Sequence, residues 1–182
     1  MGVRTVILGY DDYAALPSDG RRYEVHEGEL SVTPAPTPQH QLITRNLFRL
    51  VDDHVRATGA GEILFAPIDV ILSDTSIVQP DLVFVERSRL DAISRRGIEG
   101  PPTLVVEVLS PSTAVIDRRT KHQLYARYGI PCFWLVDPEA RTIEAFVLGP
   151  DGYLPAGRAT GSEPASFPPF PGLQIVPVTL WP

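Results

Sequence analysis

The sequence predicts a mixed α/β domain in which one sheet of mixed strand direction is flanked by helices. Three observations predict it. Residues 38–58 carry Leu42, Ile43, Leu47, Leu50, Val51 and Val55 as a helical apolar stripe. Runs such as Leu82-Val83-Phe84-Val85 and Cys132-Phe133-Trp134-Leu135-Val136 are rich in β-branched and aromatic residues, as strands are. Helical and extended segments also interleave along the chain, in the order hairpin, helix, three strands, helix, two strands. At 182 residues, with 43% hydrophobic and 21% charged residues, the chain is expected to form a single domain over residues 1–182.

The elements follow in order. Residues 11–16 suit a short helix, ended by Pro17-Ser18-Asp19-Gly20. Residues 23–32 alternate around Glu27-Gly28, which reads as a hairpin turn. Thr37 is placed as N-cap and Pro38 as first residue of the long helix, which runs to Thr58 and is closed by Gly59 and Gly61. Residues 63–72, 78–85 and 103–109 read as strands, and 88–100 as a short helix and loop. A second long helix, capped by Ser112 or Thr113, reaches Tyr128 and stops at Gly129. Strands at 132–136 and 141–148 follow. Beyond Pro150, proline and glycine dominate, with 173–178 as a last edge strand.

The formal charge of −6 argues against broad, charge-driven coating of nucleic acid or membrane, although a local basic patch remains compatible with it. The single cysteine, Cys132, precedes an apolar run and reads as a buried small hydrophobe. No stretch approaches the length of a membrane-spanning helix, and the expected setting is cytoplasmic.

The chemistry concentrates in a few residues. Lys121 is the only lysine among sixteen basic residues. Its ammonium is a compact charge whose pKa can be moved, whereas a guanidinium stays protonated. Upstream, Pro80-Asp81 opens an apolar run and Glu107 sits inside Leu104-Val105-Val106-Glu107-Val108-Leu109. An ionised carboxylate in a buried strand must be paired, protonated or bound to metal. Glu107 is therefore either half of a structural ion pair with Lys121 or an arginine, or a metal ligand. Two carboxylates on neighbouring strands with one ammonium form the minimum set for holding a divalent metal against a phosphodiester. If residues 69–81 form a simple hairpin pairing Leu72 with Val78, Asp69 faces Asp81, and a positive group is needed beside them. On the second helix Lys121, Tyr125 and Tyr128 share one face, with Arg118 three residues before Lys121. His26, His54 and His122 lack zinc-type spacing with Cys132 and read as ordinary polar residues.

These residues together resemble the Uma-two branch of the PD-(D/E)XK nuclease superfamily. The matching pieces are Tyr23-Glu24-Val25 through Gly28-Glu29-Leu30, His40 early in a helix, and Val78-Gln79-Pro80-Asp81-Leu82. They continue with Glu107-Val108-Leu109-Ser110-Pro111-Ser112-Thr113, then Asp117-Arg118 with Lys121 and Tyr125. Gly129-Ile130 ahead of Trp134-Leu135-Val136-Asp137-Pro138 completes the set. The resemblance implies a restriction-endonuclease-like α/β/α core with an added N-terminal hairpin and a site at one edge of the sheet. It implies that Asp81, Glu107 and the Val108 carbonyl hold magnesium, for which manganese can substitute. The superfamily lysine, usually two residues after the glutamate, is replaced here by Leu109, and the resemblance implies that Lys121 supplies it from the following helix.

The expected function is a magnesium-dependent endonuclease acting on nucleic acid, DNA before RNA, with Asp81, Glu107 and Lys121 as the catalytic set. Glu24, His40, Asp69 and Tyr125 are supporting candidates, and Arg45, Arg49, Arg95, Arg96 and Arg118 are candidate backbone contacts. The alternative is a catalytically inactive nuclease-fold protein with a nucleic-acid-binding or regulatory role. A homodimer is left open.

Overall fold

The structure, a computed structural model, describes residues 6–110 and 116–182. Helix α1 (Tyr10–Ala14) leads into the hairpin β1 (Arg22–His26) and β2 (Glu29–Thr33), turned at Glu27-Gly28 as expected. Helix α2 (Pro38–Thr58) begins where its cap residues place it. The Thr37 hydroxyl accepts from the His40 N–H, and Gly59 ends the helix in the left-handed conformation at φ 64°. Strands β3 (Gly61–Phe65), β4 (Val70–Ser73), β5 (Ser76–Val78), β6 (Leu82–Glu86), β7 (Ile98–Glu99) and β8 (Leu104–Val108) follow. A π-helical stretch, Ile116–Lys121, runs into α3 (His122–Arg127), and the helix ends before Gly129. The cap expected at Ser112 or Thr113 lies outside the described residues. The chain closes with β9 (Cys132–Asp137), β10 (Thr142–Gly149), β11 (Gly152–Thr160), β12 (Ala165–Phe167) and β13 (Phe170–Ile175).

These strands form a six-stranded sheet, β11-β10-β9-β8-β6-β3, a five-stranded sheet, β2-β1-β5-β4-β7, and the β12-β13 hairpin. The six-stranded sheet is mixed: β8 runs parallel to β9, and its other neighbouring pairs are antiparallel. Alternation along its strands separates two cores. Leu82, Phe84, Leu104, Val106, Val108 and Trp134 point to the face covered by α2, where Ile43, Leu47, Val51 and Val55 meet them. Val83, Val85, Val105, Leu109, Phe133 and Leu135 point to the other face, where α3 contributes Leu124 and Tyr125. The expected helix-sheet-helix layering is therefore present, with a second sheet added beside it.

Two expected strands are each divided. Residues 63–72 form β3 and β4, and residues 78–85 form β5 and β6, with the halves in different sheets. Pro67 and Pro80 stand at the breaks, where a residue without an N–H cannot continue a ladder. The chain thus leaves the large sheet at 66–69, turns through β4-β5, and re-enters it at Asp81. The expected pairing of Leu72 with Val78 is replaced by Val70 with Val78, so Asp69 does not face Asp81. The segment 88–100 contains a 3₁₀ turn, Arg87–Ala92, and the short strand β7. The tail also holds more strand than expected. Strand β11 occupies the edge of the large sheet, and Pro155 is accommodated beside a register shift opposite Ala145 and Phe146.

Candidate active site at the end of the large sheet

The ladder between β6 and β8 pairs Leu82 with Val106. One position further, where Pro80 has ended the pairing, Asp81 stands across from Glu107. The cross-strand neighbour of Asp81 is thus Glu107 rather than Asp69. The Val108 N–H donates to Asp81 Oδ2 at 2.8 Å, tying the carboxylate to the neighbouring strand. In an extended strand one residue's N–H and C=O point to the same side, so the Val108 carbonyl is directed toward the Asp81 side as well.

Each layer then adds a partner. From α2, His40 Nε2 lies 3.1 Å from Asp81 Oδ2. The Thr37 cap that starts this helix also fixes the His40 backbone. From β1, Arg22 Nη1 donates to Asp81 Oδ1 at 3.2 Å. Glu107 faces the α3 side, where Lys121 Nζ donates to Glu107 Oε1 at 3.0 Å and the Tyr125 hydroxyl donates to the same oxygen at 2.5 Å. Lys121 Nζ also donates to Glu24 Oε1 at 3.0 Å. Glu24, Asp81, Glu107 and Lys121 are all buried, none more than 4% exposed.

The charges are balanced by these contacts. Burial opposes ionisation of Glu24, but Lys121, His26 and Arg22 outweigh it and hold its carboxyl well below the ordinary range. Asp81 is likewise penalised by burial, yet His40, Arg22 and the Val108 N–H lower its pKa. Burial works against a charged His40, and the hydrogen bond and charge of Asp81 reverse this, raising its pKa. Arg22 is raised further above its usual value, because Asp81, Glu24 and Glu107 together outweigh its desolvation.

A cleft of about 1080 Å³ opens against Asp81, His40 and Arg22, and Arg45 and Arg49 of α2 line it. A smaller cleft of about 240 Å³ borders His40, Leu109, Ser110 and Arg118. The remaining expected contacts are placed elsewhere. The Arg118 guanidinium is held by Asp137 at 2.6 Å and Glu144 at 3.3 Å, so acidic partners already occupy it. Arg95 and Arg96 lie on the loop before β7, and Arg96 sits 3.9 Å over the Tyr10 ring. Asp69 accepts from Tyr13 and Gln79 instead of joining the carboxylates. Tyr128 bonds Ser73 and Ser76.

The donor set fits a hard divalent cation in kind. Among the described residues no three His, Cys, Asp or Glu side chains are grouped so as to hold a metal ion. Magnesium does not require three, because it is commonly held by one or two carboxylates with water and phosphate completing the shell. Asp81 and Glu107, with the Val108 carbonyl directed the same way, supply that minimum.

Comparison with known proteins agrees with this architecture. A family model, Uma2, with the description "Putative restriction endonuclease", matches residues 10–179. The chain belongs to the Uma2 family. No curated protein matches it. Among solved structures it is similar to the crystal structure titled "a putative nuclease belonging to DUF820" from Anabaena variabilis ATCC 29413. The TM-score is 0.78 at 18% identity, covering 95% of this chain and 97% of that one. At that identity the likeness establishes the fold. For this Uma2 member the cluster just described stands at the end of the shared sheet.

Sequence reasoning missed three members of the cluster. Arg22 and His26 flank Glu24 at two-residue spacing on β1, so all three project to one face. His26 Nε2 lies 3.2 Å from Glu24 Oε2, which makes it a partner of the site rather than an ordinary polar residue. Gln79 donates its N–H to Glu24 Oε1 at 2.6 Å. The period-two pattern around Glu24 was the available signal.

Proposed function

We propose that this Uma2 protein is a divalent-metal-dependent endonuclease, with DNA as its substrate. The observation that carries the reading is the convergence of Asp81 and Glu107 from adjacent strands with Lys121 held against Glu107. Asp81, Glu107 and the Val108 carbonyl would hold magnesium or manganese. When bound, such a cation polarises a phosphate and lowers the pKa of coordinated water.

The protein's own groups have separate tasks. Arg22 and His40 keep Asp81 ionised and oriented toward the cleft. Lys121, fixed between Glu24 and Glu107, presents an ammonium where charge builds on the phosphate oxygens. Glu24 and Tyr125 position Lys121 and Glu107. Leu109, where the superfamily commonly has lysine, packs in the apolar core, so the helix-borne Lys121 would take that lysine's place.

Nicking of supercoiled plasmid in magnesium, beside a Glu107→Gln control, tests the reading. Magnesium-dependent nicking by the native protein and none by the variant is expected. DNA binding without nicking would instead make the chain a nuclease-fold binding or regulatory protein.

A further inference from the structure

The large cleft beside Asp81 combines two kinds of lining. Arg21, Arg22, Arg45 and Arg49 supply positive charge, and Asp81 is the sole acidic residue among its described lining residues. This is a local inversion of a chain whose net charge is −6. Arg45 and Arg49 are exposed, one helical turn apart on α2, and neither is paired with a carboxylate among the described residues.

The second kind is aromatic. Phe65 is 60% exposed, although it ends a strand of the large sheet. Phe48 of α2 braces it edge-on, with ring centroids 5.0 Å apart. Phe65 is also fixed relative to Asp81: it pairs with Leu82, and the following Ala66 N–H donates to the Asp81 carbonyl at 3.0 Å. A single exposed ring is ordinary in itself; here it is held rigidly beside arginines and a carboxylate in one cleft. Beside arginines and a carboxylate site, a nucleotide with an unstacked base is the partner that fits, because it offers a π-face and a phosphate together. A base within a duplex has its faces already stacked.

We infer that this cleft binds a single-stranded nucleic-acid segment, with Phe65 as the stacking platform and Arg45 and Arg49 as phosphate contacts. The inference rests on the nuclease reading for its role, and it names the substrate class as unpaired strand rather than intact duplex.

Binding is read separately from cleavage. Fluorescence anisotropy in EDTA compares a fluorescein-labelled oligothymidylate with a duplex of equal length. The single strand should bind at least about tenfold more tightly, and Phe65→Ala should weaken it by about tenfold while Phe65→Tyr preserves it. Arg45→Ala and Arg49→Ala should each reduce the slope of log affinity against log salt by about 0.7. Because Phe65 is exposed, circular dichroism of Phe65→Ala should show an unchanged fold. Tighter binding of the duplex, or no effect of Phe65→Ala, overturns the inference. Single-strand preference with no magnesium-dependent cleavage of either the oligothymidylate or the plasmid supports it while defeating the nuclease reading. Nicking with duplex preference does the reverse.

Discussion

Lys121 is buried to 4% exposure and divides its ammonium between Glu24 and Glu107 at 3.0 Å each. The two readings of Glu107, structural ion pair and metal ligand, therefore share one geometry: the lysine that satisfies the carboxylate is the one that the proposed function sets beside a phosphate. Lys121→Met should strand both acids and cost about 3–5 kcal/mol in denaturant titration at neutral pH. The sign of its pH dependence is a further check. Glu24 has a depressed folded pKa, so its contribution is present above the unfolded value of about 4.3 and is lost as pH falls through the folded pKa. Without Lys121 that depression loses its largest favourable charge and is reduced, so the destabilisation relative to the native protein should shrink as pH falls below about 4. A deficit that stays constant with pH would remove Glu24 from Lys121's partners. Lys121→Arg should be worse in nicking than in stability, since a planar fork cannot place charge at the same point. Lys121 was legible because it is the only lysine; Arg22 and His26 were not, because nothing in their residue type separates them from other arginines and histidines.

Helix α2 was legible to its ends, since Thr37-Pro38, the apolar stripe and Gly59 agree locally. The strands were less so. Apolar β-branched residues continue on both sides of Pro67 and Pro80, so periodicity alone could not show that each run crosses between sheets. That crossing puts Asp81 at the mouth of the large sheet, opposite Glu107. Elements and site are coupled at the start of α2, where the Thr37 hydroxyl holds the His40 N–H. Thr37→Ala should cost about 1 kcal/mol by equilibrium unfolding, and it should reduce nicking because His40 is no longer fixed against Asp81. Full nicking activity in that variant would show that His40 does not need its cap. At the opposite end, Gly61 adopts φ 155° and an added Cβ would meet the Val85 carbonyl oxygen at 2.1 Å. Gly61→Ala should therefore disrupt the β3-β6 pairing and lower the melting temperature, without acting on the carboxylates directly.

Across the described residues the buried charges, with the partly buried Arg22, form one assembly drawn from both sheets and both flanking layers. Asp81 comes from the re-entry into the large sheet, Glu107 from β8, Glu24 and Arg22 from the added sheet, His40 from α2 and Lys121 at the junction with α3. The layering followed from the order of helices and strands, and the second sheet did not, because its strands are short and share runs with the first. Asp81 and Glu107 still stand as like charges across the ladder, and a cation bound to the folded chain alone should relieve them. Thermal unfolding in magnesium, with sodium at matched ionic strength as control, measures this directly. At 100 times the dissociation constant, one site should add about 2.7 kcal/mol, on the order of 5–10 °C for a chain of this size. The native protein should show that shift, and Asp81→Asn and Glu107→Gln should each abolish it without altering the sodium control. The same response to magnesium in native protein and variants would contradict a metal site at Asp81 and Glu107.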